Sequence, residues 1–168
     1  MEIIGLQATP NRMEIIEFIH SLFPKMELIN WEGNFDKTFI FNGNENYQIE
    51  NISEDFSGFA IQIESNKSEF MTKITLLRTP ETDIQERELY VALKLSKRFN
   101  CKAIINAPEN LSSHPYSSLI LDNDKVYEAD DEGTIWGDGI GKEVKIIKEI
   151  NIEKYNFDSN GNLIKACC

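Results

Sequence analysis

The chain has 168 residues, of which 41% are hydrophobic and 27% charged, and a formal net charge of −11. That length fits a single domain spanning 1–168, with a core large enough to hold without a metal or a disulfide framework. The acidity disfavours direct binding to nucleic acid or anionic lipid, and favours solubility and fast association with basic partners.

Residues 2–7 read as a short strand. Thr9-Pro10 then reads as a helix start, because Thr can cap free amides and Pro suits the first helical position. The helix is expected over about 10–23, with Ile15, Ile16, Ile19, Leu22 and Phe23 on its apolar side and Pro24 ending it. Short runs over 27–32, 37–41, 47–52, 58–64 and 71–77 are separated by Asn, Gly, Ser and Asp and predict an antiparallel meander. The clearest alternation is Phe59, Ile61 and Ile63.

Thr79-Pro80 repeats the helix-start pattern, and a long helix is expected over about 81–99. Leu89, Ala92, Leu93, Ser96 and Phe99 share one face, acids open it, bases close it, and Asn100 is its terminator. Later strands are expected over 101–105, 116–121, 125–128, 144–152 and 155–157. Asp122-Asn123-Asp124 reads as a hairpin turn, 130–133 as a loop and Asn160-Gly161 as a turn. The fold class is therefore α+β: a mostly antiparallel sheet of several short strands packed with two main helices.

Catalytic motifs are scarce. His20 and His114 have no Cys or His at metal-ligand spacing, so no zinc site is expected. Cys101 opens an apolar strand and reads as a core thiol, while Cys167 and Cys168 sit at the end of the chain without a scaffold. Gly137-Asp138-Gly139-Ile140-Gly141 lacks dinucleotide-loop spacing and precedes a strand-like run, which predicts a flexible loop. There is no nucleophile elbow and no Walker motif, and no cofactor is expected. The first residues lack the basic start of a secretory signal and no apolar run reaches membrane-spanning length, so the cytoplasm is the expected compartment.

What remains is the distribution of acid. One segment, 38–66, has no Lys or Arg but carries Glu54 and Asp55, with Trp31-Glu32 just before it. The other, 122–141, has Lys125 as its one base against Asp122, Asp124, Glu128, Asp130, Asp131, Glu132 and Asp138, with Trp136 beside them. Aromatic anchors among carboxylates suit an interface with a basic protein. Solvated turns and two core tryptophans would explain the same residues.

One stretch also carries a family pattern. Residues 88–105 read as a helix ending Leu93-Lys94-Leu95-Ser96-Lys97-Arg98-Phe99, a polar break Asn100-Cys101, and a strand Lys102-Ala103-Ile104-Ile105. Pro115-Tyr116-Ser117 then opens a strand pair that continues through Val126-Tyr127. This resembles bacterial immunity proteins of contact-dependent inhibition and related polymorphic toxin systems, although Asn100 stands where that pattern has glycine. The resemblance implies a small cytosolic protein that binds and blocks a toxin encoded beside it, frequently a basic nuclease. An acidic adaptor and a carboxylate-dependent hydrolase are the alternatives, the latter requiring a concave pocket with convergent acids.

Overall fold

The structure is a computed structural model that describes residues 1–31, 39–41, 46–48, 58–112, 114–137 and 139–164, with the backbone alone for 39–41 and 46–48. In chain order the elements are β1 (Glu2–Leu6), α1 (Arg12–Leu22), β2 (Glu27–Asn30), β3 (Phe39–Phe41), β4 (Asn46–Gln48), β5 (Gly58–Ser65), β6 (Thr72–Thr79), α2 (Ile84–Phe99), β7 (Lys102–Asn106), β8 (Ser117–Asp122), β9 (Lys125–Asp130) and β10 (Lys145–Ile150). The fold is α+β. The strands form one sheet in the order β10-β9-β8-β7-β1-β6-β5-β2-β3-β4.

The sheet is not a simple meander. The first strand, β1, lies at its centre, paired with β6 on one side and β7 on the other. Each helix is a crossover: α1 carries the chain from β1 to β2, and α2 carries it from β6 to β7. Both links join strands that run the same way, which a tight turn cannot do. Pairing is antiparallel throughout except between β2 and β5.

Alternation along the strands splits the apolar residues between two faces. Ile4 and Leu6, Phe59 and Ile61, Ile74 and Leu76, Ala103 and Ile105, and Leu119 and Leu121 face the helices in the main core. The helices complete it with Ile15, Ile16 and Ile19 from α1, and Leu89, Val91, Ala92 and Leu95 from α2. A smaller core of Phe70, Ile104, Ile120 and Ala129 lies on the other face.

Both Thr-Pro helix starts are displaced. The cap of α1 is Asn11, whose side chain accepts from Met13 N–H while Glu14 accepts from the Asn11 amide, a reciprocal box that beats the upstream Thr9. Thr79 closes β6 instead, and α2 begins at Ile84 after Asp83, a left-handed residue. The C-terminus of α2 is as expected: Asn100 takes the left-handed conformation, and the Cys101 amide donates to the Ser96 carbonyl. The hairpin turn after Asp122 also forms, with Asn123 at positive φ. Residues 155–157 form no strand; Phe157 makes only an isolated bridge to Leu163 around the Asn160-Gly161 turn.

The segment after β10 straps back across the helical side. Phe157 packs on Phe23 and Tyr90, Lys25 N–H donates to the Ser159 carbonyl, and Arg78 Nη2 donates to the Asn160 carbonyl and Asn162 Oδ1. Arg78 Nη1 also donates to Thr82 Oγ1 (2.6 Å), and Arg87 Nη1 to the Thr82 carbonyl. Arg87 in turn forms an ion pair with Glu2, both side chains being fully buried. Burial pushes the Glu2 carboxyl up even against the opposing Arg87 guanidinium.

Breaking a buried pair from one side strands a charge. Arg87→Met is expected to lower unfolding free energy by about 3–5 kcal/mol. Adding Glu2→Gln to it should recover much of that loss, which the denaturation midpoints of both variants would measure. Gly5 is a second sensitive position. A Cβ there would meet Ile104 Cγ2 at 2.6 Å and Trp136 Cζ3 at 2.7 Å. Gly5→Ala is expected to cost about 1–3 kcal/mol by thermal or chemical unfolding.

Candidate interaction face

The sheet's two faces are covered unequally. The helical face is closed by α1, α2 and the strap. The other face is covered over β7, β8 and β9 by residues 131–144, which fold back from β9 and return into β10. Trp136 plugs this cover: it lies over Gly5 and edge-on to Phe70 at 6.3 Å between ring centres. Glu69, in the turn between β5 and β6, holds the cover in place by accepting from Val144 N–H (2.6 Å). Between these two loops lies a cavity of about 210 Å³ whose lining includes Ser68, Glu69, Trp136 and Lys142.

The glycine-rich loop is tightly folded, contrary to the flexible loop expected from sequence. Gly139 N–H donates to the Thr134 carbonyl, and the Ile140 and Lys142 amides both reach the Gly133 carbonyl. A Cβ on Gly137 would collide with the Asp131 carbonyl, and one on Gly139 with the backbone of Gly133. These two glycines permit backbone to pack on backbone.

Structure separates the acidic candidates. Asp122 and Asp124 sit at one end of β9, and Asp130, Asp131 and Glu132 at the other, on the order of 20 Å away along six strand residues. Asp124 pairs with Lys97 (3.0 Å), and Lys97, Lys154 and Lys94 hold its carboxyl below the usual range. Lys148 likewise pairs with Glu128. The hairpin end is thus locally neutralised by bases that are distant in sequence.

Asp131 is an interior residue, 3% exposed. Its Oδ2 accepts from the buried Ser118 hydroxyl, and burial raises its carboxyl above the ordinary value. It therefore anchors the loop to β8 and offers no charge to a partner. Asp130 and Glu132 do face solvent, at least in part. Asp130 Oδ1 accepts from Glu132 N–H, and neither carboxylate has an ion-pair partner among the described residues.

Trp136 is half-buried in the second core, and Trp31 is half-buried just past β2. The Trp31 N–H donates to the Ile61 carbonyl and its carbonyl accepts from Arg12. Leu28 belongs to the main core and Asn30 bonds to Arg12 of α1, so alternation puts Trp31 on the non-helical face, the same face as Trp136. Glu32, Glu54, Asp55 and Asp138 lie outside the described residues.

Several residues of this face were not singled out from sequence. Exposed Met71, Leu77 and Ile146 belong to it by alternation, and exposed Ile135 and Ile140 lie on its covering loop. The second unforeseen group is the buried set Glu2, Arg78, Arg87 and Glu88. A local signal was available for Glu2 and Arg78, each of which interrupts an apolar strand at a core-facing position. Among the described residues no group of three His, Cys, Asp or Glu side chains could hold a metal ion, and no helix is long and apolar enough to cross a membrane.

The Ser118–Asp131 contact makes a separate test possible. Ser118→Ala removes the donor and leaves a buried carboxylate oxygen without a partner, with an expected cost of about 1–3 kcal/mol. It should also loosen the 131–144 cover, seen as faster amide exchange there than over α1.

No protein-family model, curated protein or solved structure matches this chain.

Proposed function

We propose that this chain is an immunity-type inhibitor: a non-catalytic protein that captures a basic toxin on the sheet face opposite its helices. The observation that carries this reading is the combination on that face. It presents exposed Met71, Leu77, Ile135, Ile140 and Ile146 together with exposed Glu132 of its covering loop, which has no ion-pair partner among the described residues and has half-buried Asp130 beside it at the end of β9, in a chain of net charge −11. Apolar anchors supply contact area, while unpaired carboxylates steer a cationic partner.

Two further points support it. The stretch that resembles immunity proteins is one contiguous piece of the fold: α2 packs on β7 and β8, and β7, β8 and β9 are consecutive sheet neighbours. Among the described residues, the carboxyls that burial raises, Glu2, Glu88 and Asp131, all lie in the interior rather than in an open pocket.

The test is a pull-down from source lysate with the whole chain as bait, at low and high salt. One basic toxic partner, recovered in a salt-sensitive complex, is the expected result. With that partner in hand, Asp130→Asn plus Glu132→Gln should slow association severalfold at low salt and leave dissociation nearly unchanged. Leu77→Ser should instead speed dissociation. Association that ignores the double variant at low salt would reject the role of this acidic corner, and many weak partners would favour an adaptor.

A further inference from the structure

The centre of the sheet contains a seam. Odd-numbered residues of β1 turn their amides toward β7, as shown by Gln7 N–H donating to the Lys102 carbonyl (2.9 Å). Strand pairing between β1 and β7 covers only Gly5 with Ile104 and Leu6 with Ala103. Below that point the Ile3 amide finds no β7 carbonyl. It donates to Glu88 Oε1 of α2 at 2.7 Å. A helix side chain thus occupies the place of a strand partner in the middle of a ten-stranded sheet.

We propose that Glu88 is a protonation-controlled bolt in this seam, holding the first residues of β1 in the sheet when neutral and releasing them when ionised. The bolt is enclosed, with Glu88 only 9% exposed. The charged groups around it are few and known. On β1, the hydrogen bond from the Ile3 amide and the chain's amino group favour its ionisation, and the Glu2 carboxylate opposes it. On α2, Arg87 is turned to Glu2, and Glu81, just before the helix, takes the amino group. On β6, Arg78 is engaged with Thr82 and the strap. The one titratable residue of β7, Lys102, lies at that strand's far end.

Burial outweighs the rest and pushes the Glu88 carboxyl from 4.5 up to about 7. The sign follows. An open seam lets Glu88 ionise near 4.5, whereas the closed seam holds the proton to about 7. Opening is therefore unaffected by pH below the lower value, grows between the two, and levels off above the upper one. The inference does not depend on the toxin reading, because it concerns only residues beneath α2.

Amide exchange by NMR on the whole chain, from about pH 4 to pH 8 and corrected for the intrinsic rate, tests it. Ile3 protection should fall about tenfold per pH unit between the two values and then flatten. Glu88→Gln keeps an acceptor for the Ile3 amide but cannot ionise, so the slope should vanish in that variant. A flat profile in the wild-type chain, or an unchanged slope in Glu88→Gln, overturns the proposal. Should Glu88→Gln fail to fold, the carboxyl carbon of Glu88 in the wild-type chain decides. A midpoint near 7 supports the bolt, and a midpoint in the ordinary carboxylate range overturns it.

Discussion

The buried pair between Glu2 and Arg87 joins the first residue of the central strand to the opening turns of the helix that crosses over it. Two charges removed from water are costly unless they meet, so strand and helix can pack closely only in the register that brings them together. The constraint spreads outward through shared partners. Arg87 also donates to the Thr82 carbonyl, Arg78 donates to the Thr82 hydroxyl, and the other end of Arg78 grips the turn at Asn160 and Asn162. One chain of polar contacts thus runs from β1 through the start of α2 to the C-terminal strap. Phe59 lies against it, 5.6 Å from the Arg87 guanidinium, and Gly161 fits beside the same ring.

That network explains why the two faces of the sheet differ. On the helical side the polar chain and the aromatic cluster of Phe23, Tyr90 and Phe157 lock both helices and the strap together. Among the described residues no helix lies on the opposite side. A single loop covers it over β7, β8 and β9, held by Trp136, the Glu69 acceptor and the buried Asp131. Over β5, β6 and β1 the alternate positions Ile3, Ala60, Gln62 and Thr75 remain half-buried and Leu77 exposed. On the proposed reading, this part of the face, which no described helix or loop covers, is where a partner would dock without disturbing the core.

Local signals were legible in the sequence, and signals that need a distant partner were not. The stripe of α2, its Asn100 terminus, the Asp122-to-Lys125 hairpin and the Phe59, Ile61, Ile63 alternation are each set by residues a few positions apart, and each is present. The first Thr-Pro start failed because a better cap lay downstream, Asn11 with Glu14 at the right spacing, and the second because Thr79 is held in β6. The central place of β1 was illegible because the helical crossovers decide it, and no short window contains both ends of a crossover. The buried charges escaped notice for a similar reason. Arg87 and Glu88 look like solvent-facing helix residues until Glu2 and Ile3, some 85 positions away, are placed beneath them.

The acidic candidates carry the same lesson into electrostatics. Counting along the chain, residues 122–138 form one acidic block. In space the strand β9 cuts that block in two, and the fold brings Lys97, Lys94 and Lys154 to one half while burying Asp131 in the other. A charge matters to a partner only if it is exposed and unanswered by its neighbours. Among the described residues of that block, Glu132 is exposed with no ion-pair partner and half-buried Asp130 stands beside it, a smaller feature than composition implied. Glu132 stands where the covering loop leaves the sheet, on the loop that also carries exposed Ile135 and Ile140. On the proposed reading, steering and contact would act on the same partner in sequence, with charge bringing it in and apolar surface holding it.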